Sequence, residues 1–167
     1  LGSWGEGYFN RPHGSRFDRQ GTLYCTDDGD HTVSRFTPDG QLLQVIGEKG
    51  KPSDTGYIKD DNLMRSLKSI KRGGPPFNRP TGVDFDSSGN FYVSDGYGNA
   101  RVHKFSPEGK YLFSWGGPGS GPSEFMLPHN VRVDRFDRIW IPDRENSRIQ
   151  IFDTEGKLLQ LWQDVFR

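Results

Sequence analysis

The chain has 167 residues, the length of one domain, and its 22 basic side chains balance 22 acidic ones, so no overall charge draws it to nucleic acid or anionic lipid. Twenty-two glycines and 11 prolines punctuate a sequence that is 31% hydrophobic but 13% aromatic, the profile of an all-β protein with many turns. No apolar run is long enough for a membrane helix, and the single cysteine, Cys25, excludes an internal disulfide framework while leaving the redox compartment open.

Taken in chain order, three stretches share one plan. They begin at Phe9, Phe77 and Phe125, and each opens with Phe-x-x-Pro (Pro12, Pro80, Pro128) running into a short strand. A turn on an aspartate follows (Asp18, Asp86, Asp134), then a second strand ending in aspartate (Asp27, Asp95, Asp143). A third strand ends in phenylalanine (Phe36, Phe105, Phe152), a turn glycine comes four residues later (Gly40, Gly109, Gly156), and a fourth strand closes the unit. Four antiparallel strands per repeat is the plan of a β-propeller blade. The expected blades are 9–76, 77–124 and 125–167. The opening "LGSWGEGYFNRP" matches the link "LFSWGG…FMLP" of the second repeat, so residues 1–8 are expected as the outer strand of a preceding blade. Three blades do not close a ring, and missing blades or a second chain would have to complete it.

One insertion breaks the period. Residues 48–76 form a long link whose middle, "DDNLMRSLKSIKR", spaces Leu63, Met64, Leu67 and Ile70 for a short helix, with Asp60 or Asp61 as its N-cap. The segment also carries a basic cluster, Arg65, Lys68, Lys71 and Arg72. It is expected over the channel rim, as a lid, a cleft wall or a passive decoration.

Strand order places the candidate site. If the first strand of each blade lines the channel, the links between blades and the hairpins joining strands two and three share a face. His13 and His129 lie in links, and Tyr97 and Arg144 in hairpins, so residues from three blades should meet at one channel mouth. Plainer roles stay open for each. A histidine after proline can bond within the channel wall, Tyr97 can be a packing aromatic, and Arg144 can bond to neighbouring carbonyls. His31 and His103 are expected in third-strand regions as structural groups, the recurrent Asp27, Asp95 and Asp143 as turn braces, and Cys25 as buried and inert.

The "TPDG", "SPEG" and "DTEG" turns resemble those of NHL repeats over essentially the whole chain. "PHG", "SDGYGNARVHKFSPEGK", "LPHN" and "DRENSRIQIF" more specifically resemble the peptidyl-α-hydroxyglycine α-amidating lyases, six-bladed propellers. The resemblance implies a zinc-dependent lyase that cleaves a C–N bond to release an amide and glyoxylate. His13 and His129 would be two of three zinc ligands, the third lying on blades outside this chain. Tyr97 would be the base, a role needing a neighbouring positive charge, and Arg144 would bind or polarise the substrate, a small or peptide-derived molecule. A structural calcium is a further cofactor it allows, and a secreted or periplasmic location is compatible with it. Thr81 stands in place of histidine in the middle link, a blade in which the resembling enzymes also lack a ligand, and Gly98 departs from the animal enzymes, which have a disulfide-forming cysteine there. The alternative is a non-catalytic NHL propeller that binds protein or RNA on its loop face; the zero net charge disfavours RNA.

Overall fold

In the computed structural model, which describes residues 3–163, three four-stranded antiparallel sheets follow one another along the chain. The first holds β1 (Pro12–Phe17), β2 (Leu23–Asp27), β3 (Thr32–Phe36) and β4 (Leu42–Ile46). The second holds β5 (Pro80–Phe85), β6 (Phe91–Asp95), β7 (Arg101–Phe105) and β8 (Tyr111–Trp115). The third holds β9 (Arg132–Val133), β10 (Ile139–Asp143), β11 (Arg148–Phe152) and β12 (Leu158–Gln163). Within each sheet the strands pair in chain order. β1 packs beside β5 and β5 beside β9, so the first strands of the three sheets stand side by side. This is part of a β-propeller.

The strand sequences explain the layering. β6, "FYVSD", is buried at all five residues because sheets cover both its faces. The last strands instead expose Leu42, Leu43, Tyr111, Leu112, Leu159 and Trp162. One core cluster, including Tyr24, Val33, Phe77, Phe91 and Phe105, lies between the first two sheets; Phe91 stacks on Phe105 with centroids 5.0 Å apart. A second joins sheets two and three through Tyr92, Trp115, Phe125, Ile139 and Phe152. Each fully buried aromatic or branched side chain of this kind stabilises the fold by about 1.5–3 kcal/mol.

The four-residue turns repeat one device. Asp18, Asp86, Asp134 and Asp153 each use Oδ1 to accept the backbone N–H groups two and four residues ahead. At Asp134 burial pushes the carboxyl up, but the Trp140 indole, two backbone N–H groups and the Arg138 guanidinium outweigh it and hold the pKa at about 2.

The insertion contains the expected short helix, α1 (Leu63–Lys68). Its cap is neither Asp60 nor Asp61: Asn62 accepts from the Arg65 N–H, while Asp60 accepts from Asn62 N and the Arg65 guanidinium. Leu67 and Ile70 are buried, and Leu63 and Met64 pack against the cluster that holds Tyr97. Residues 3–8 also differ from expectation. They form turns rather than a strand, with Gly5 and Gly7 at φ of 89° and 70°, and Trp4 folds back onto Phe36 with centroids 5.0 Å apart. Leu1 and Gly2, and residues 164–167 of the third expected blade, lie outside the described residues.

Candidate active site

A second set of aspartates builds the rim. Asp27 accepts from the backbone N–H groups of Asn10 and Arg11, Asp95 from Asn78, and Asp143 from Met126 and Leu127. Each carboxylate also braces its own hairpin: Asp27 holds Gly29 and Asp30, Asp95 holds Asn99, and Asp143 holds Asn146 and Arg148. The end of every second strand is thereby tied to the link preceding its own first strand. Link and hairpin side chains face one another as a result.

The four expected site residues do meet there. The His13 and His129 ring centroids are 5.1 Å apart, and Tyr97 lies 5.4 Å from the first and 5.5 Å from the second, all edge to face. The Tyr97 hydroxyl is 2.8 Å from His129 Nε2, and Arg144 Nη1 approaches the same nitrogen at 3.5 Å. A guanidinium only donates, so His129 Nε2 accepts. His13 Nδ1 lies 2.7 Å from the Thr81 carbonyl; the carbonyl only accepts, so this nitrogen carries the proton and Nε2 keeps its lone pair. Burial first, then Arg144 and His13, lower the His129 pKa to about 4, which keeps that imidazole neutral near pH 7.

Arg144 occupies a 3₁₀ turn, Arg144–Asn146, and its Nε bonds to Glu145 at 2.7 Å. The glycines around Tyr97 are required by close packing and not by a positive φ. A Cβ on Gly96 would meet the Pro128 carbonyl at 2.3 Å, and one on Gly98 would meet Asn78 Oδ1 at 2.1 Å. The hairpin is pressed onto the two adjoining links, which leaves the Tyr97 ring buried with its hydroxyl at His129.

His103 is buried in β7 beside Asp95 and Asn99. His31 is not in a third strand; it sits in the turn before β3 at φ 59°, and its Nδ1 accepts from Arg79 N. Cys25 is buried, and burial pushes its thiol up to about 11, away from nucleophile and ligand chemistry. Two residues escaped the sequence reading. The guanidiniums of Arg11 and Arg79 lie 5.8 Å and 5.1 Å from the Tyr97 ring centroid. The signal was the exact doubling of "FNRP" at residues 9–12 and 77–80.

The donor set suits a metal in part. Two imidazoles from different sheets lie close together, and His13 Nδ1 is held by the Thr81 carbonyl, the usual arrangement behind a ligating histidine. Among the described residues no group of three or more His, Cys, Asp or Glu side chains is gathered for a metal ion, so further ligands would have to come from elsewhere.

A family model described as NHL repeat matches residues 77–105. Peptidylglycine alpha-amidating monooxygenase of Rattus norvegicus is 36% identical over 166 residues, covering 94% of this chain and 15% of that protein. NHL repeat-containing protein 3 of Homo sapiens is 33% identical, covering 96% of this chain and 47% of that protein. Peptidyl-alpha-hydroxyglycine alpha-amidating lyase 1 of Drosophila melanogaster is 31% identical over 161 residues, covering 89% and 26%. This chain thus spans less than half the length of each of these relatives. Among solved structures, a chain of a nidogen/laminin complex superposes with a TM-score of 0.62 at 17% identity over 93% of this chain and 48% of its own length. The chain therefore forms part of a β-propeller, carries a match to the NHL repeat at residues 77–105, and has peptidyl-α-hydroxyglycine amidating lyases among its relatives.

Proposed function

We propose that the protein is a lyase of the amidating type, converting an N-acyl-α-hydroxyglycine to the acyl amide and glyoxylate. The observation that carries this reading is the meeting of His13, Tyr97, His129 and Arg144, drawn from three sheets, with the Tyr97 hydroxyl 2.8 Å from His129 Nε2. The name of the Drosophila melanogaster relative, an alpha-amidating lyase, supports the same class.

The reaction moves one proton and breaks one bond. The substrate hydroxyl loses its proton, the carbinol C–N bond breaks as the aldehyde forms, and the amide nitrogen takes up a proton. Tyr97 is the residue to receive the hydroxyl proton and return one to nitrogen, since its oxygen is the acid–base atom pointing into the rim. Arg144 is placed to bind the α-carboxylate as a fixed cation. His13 and His129 would hold zinc together with a ligand from outside this chain. When bound, zinc supplies Lewis-acid polarisation of a substrate oxygen.

The test is glyoxylate release from α-hydroxyhippurate by the full-length protein supplied with zinc. Release is expected, along with sharp slowing by Tyr97→Phe while zinc content is unchanged. A complete protein that purifies without metal and makes no glyoxylate overturns the lyase reading and leaves a propeller that acts by binding.

A further inference from the structure

An open cleft of about 880 Å³ lies between the first hairpin and the inserted segment 52–59. His13, Tyr97, His129 and Arg144 do not line it; Arg11 and Arg79 do, and their guanidiniums also lie near the Tyr97 ring. Four cations, Arg11, Arg79, Lys59 and Lys71, line the cleft against two carboxylates, Asp28 and Asp54, a surplus of two positive charges. Asp54 is engaged by Arg72. His31, also in the lining, is held below its ordinary pKa, chiefly by burial, and adds no charge near neutral pH.

The arginines are held at some cost. Asp28, with a fully buried side chain, anchors both: Oδ1 is 3.2 Å from Arg11 Nε and Oδ2 is 3.3 Å from Arg79 Nη2. The Arg11 contact is near enough for an ion pair but out of line for a hydrogen bond, so Oδ1 has no donor. Arg79 adopts φ 70°, an uncommon conformation for a side-chain-bearing residue, and donates Nη1 to the Tyr57 hydroxyl at 2.7 Å. A buried carboxylate without a full set of donors and a left-handed arginine each destabilise the free protein. Features of this kind, beside a reacting centre and in a cleft with surplus positive charge, are what a preorganised anion site requires.

We propose that this cleft is a subsite for a second carboxylate of the substrate, carried by the acyl part rather than by the reacting glycine unit, with Arg79 and Arg11 as its binding residues. The proposal rests on the amidating reading for the identity of the substrate, and not for the existence of the anion site. The group that enters the cleft is not the one that reacts, because none of His13, Tyr97, His129 and Arg144 lines it. The preferred substrates are acyl-α-hydroxyglycines with an acidic residue next to the glycine.

The probes are two unreactive peptides, acetyl-Ala-Glu-Gly and acetyl-Ala-Gln-Gly, isosteric except for the side-chain charge, titrated calorimetrically into this chain without metal. The Glu peptide should bind roughly tenfold more tightly, the size of one charge-assisted hydrogen-bonded contact. Arg79→Gln should erase that ratio, and Arg79→Lys should keep part of it. Arg11→Gln alters a largely exposed side chain, so it should reduce the ratio at the expense of some thermal stability, because it takes a counter-charge from the buried Asp28. Equal affinities, or no binding of either peptide, overturn the proposal. In the complete enzyme, equal turnover of Glu and Gln substrates would also overturn it while leaving the lyase reading intact. A Glu preference in binding with no glyoxylate from any substrate would sink the lyase reading and keep the anion site.

Discussion

The two ends of the sheets use the same chemistry to opposite effect. On the far face, Asp18, Asp86, Asp134 and Asp153 make the same pair of turn hydrogen bonds, blade after blade. On the rim, Asp27, Asp95 and Asp143 also recur, but the side chains they position are not the same in all three blades: His13, Thr81 and His129 follow the three prolines, and Arg11, Arg79 and Leu127 precede them. Repetition fixes the frame, and the departures from it supply the chemistry. The far face has only the frame.

The largest expected effect is catalytic and confined to the rim. Tyr97→Phe should lower glyoxylate release by roughly 10²–10⁴-fold, the usual range for losing a positioned acid–base group. Its unfolding midpoint in denaturant should stay near that of the parent. A variant within a few-fold of wild-type turnover would remove Tyr97 from the chemistry.

The next effect sets the two aspartate families against each other. Asp143→Ala leaves the buried Arg148 guanidinium without its counter-charge and its Nε and two link N–H groups without their acceptor, and should cost about 3–5 kcal/mol in denaturant unfolding. Asp153→Ala on the far face, with exposed bonds, should cost about 1 kcal/mol. Equal costs would erase the distinction drawn between the faces.

Gly96→Ala should destabilise by about 1–3 kcal/mol, because the added methyl meets a backbone carbonyl at 2.3 Å. Activity should fall further than stability does, since the Pro128 carbonyl it displaces adjoins His129. A neutral substitution would mean that the hairpin does not set the position of Tyr97.

The smallest effect is acid sensitivity at Asp134. Its folded pKa of about 2 lies below the unfolded value, so its stabilisation is present above about pH 4 and is lost as pH falls toward 2. The stability gap between the parent and Asp134→Asn should be about 2 kcal/mol or less at pH 6 and should close across that window. A gap independent of pH would contradict the hydrogen-bonded carboxylate.

The frame was legible because each repeat states it again: proline, turn aspartate, strand-end aspartate and phenylalanine return in order, and chance does not supply three aligned copies. The convergence of His13, Tyr97, His129 and Arg144 followed from strand order alone. The Asn62 cap was missed because Asp60, Asp61 and Asn62 are consecutive, and only the start of the helix chooses among them. The turns at residues 3–8 were missed because a tryptophan and two glycines read as a strand end until Trp4 is seen folding back onto Phe36. Arg11 and Arg79 were passed over because an arginine repeated in two blades looks like frame; only the geometry puts both at Tyr97.

The bonds from Asp27 and Asp143 to their links go to peptide nitrogens, which every residue except proline carries. Side chains at these positions can therefore be exchanged without renegotiating the frame: Asn10 and Arg11 in one blade, Met126 and Leu127 in another, hang on the same pegs. The rim behaves as a display board whose lettering is independent of its hooks. A change in what the protein recognises can then arrive through single substitutions at exposed link positions such as Asn10 and Arg11, a short mutational route to new specificity that keeps the strand-end bonds of the blade.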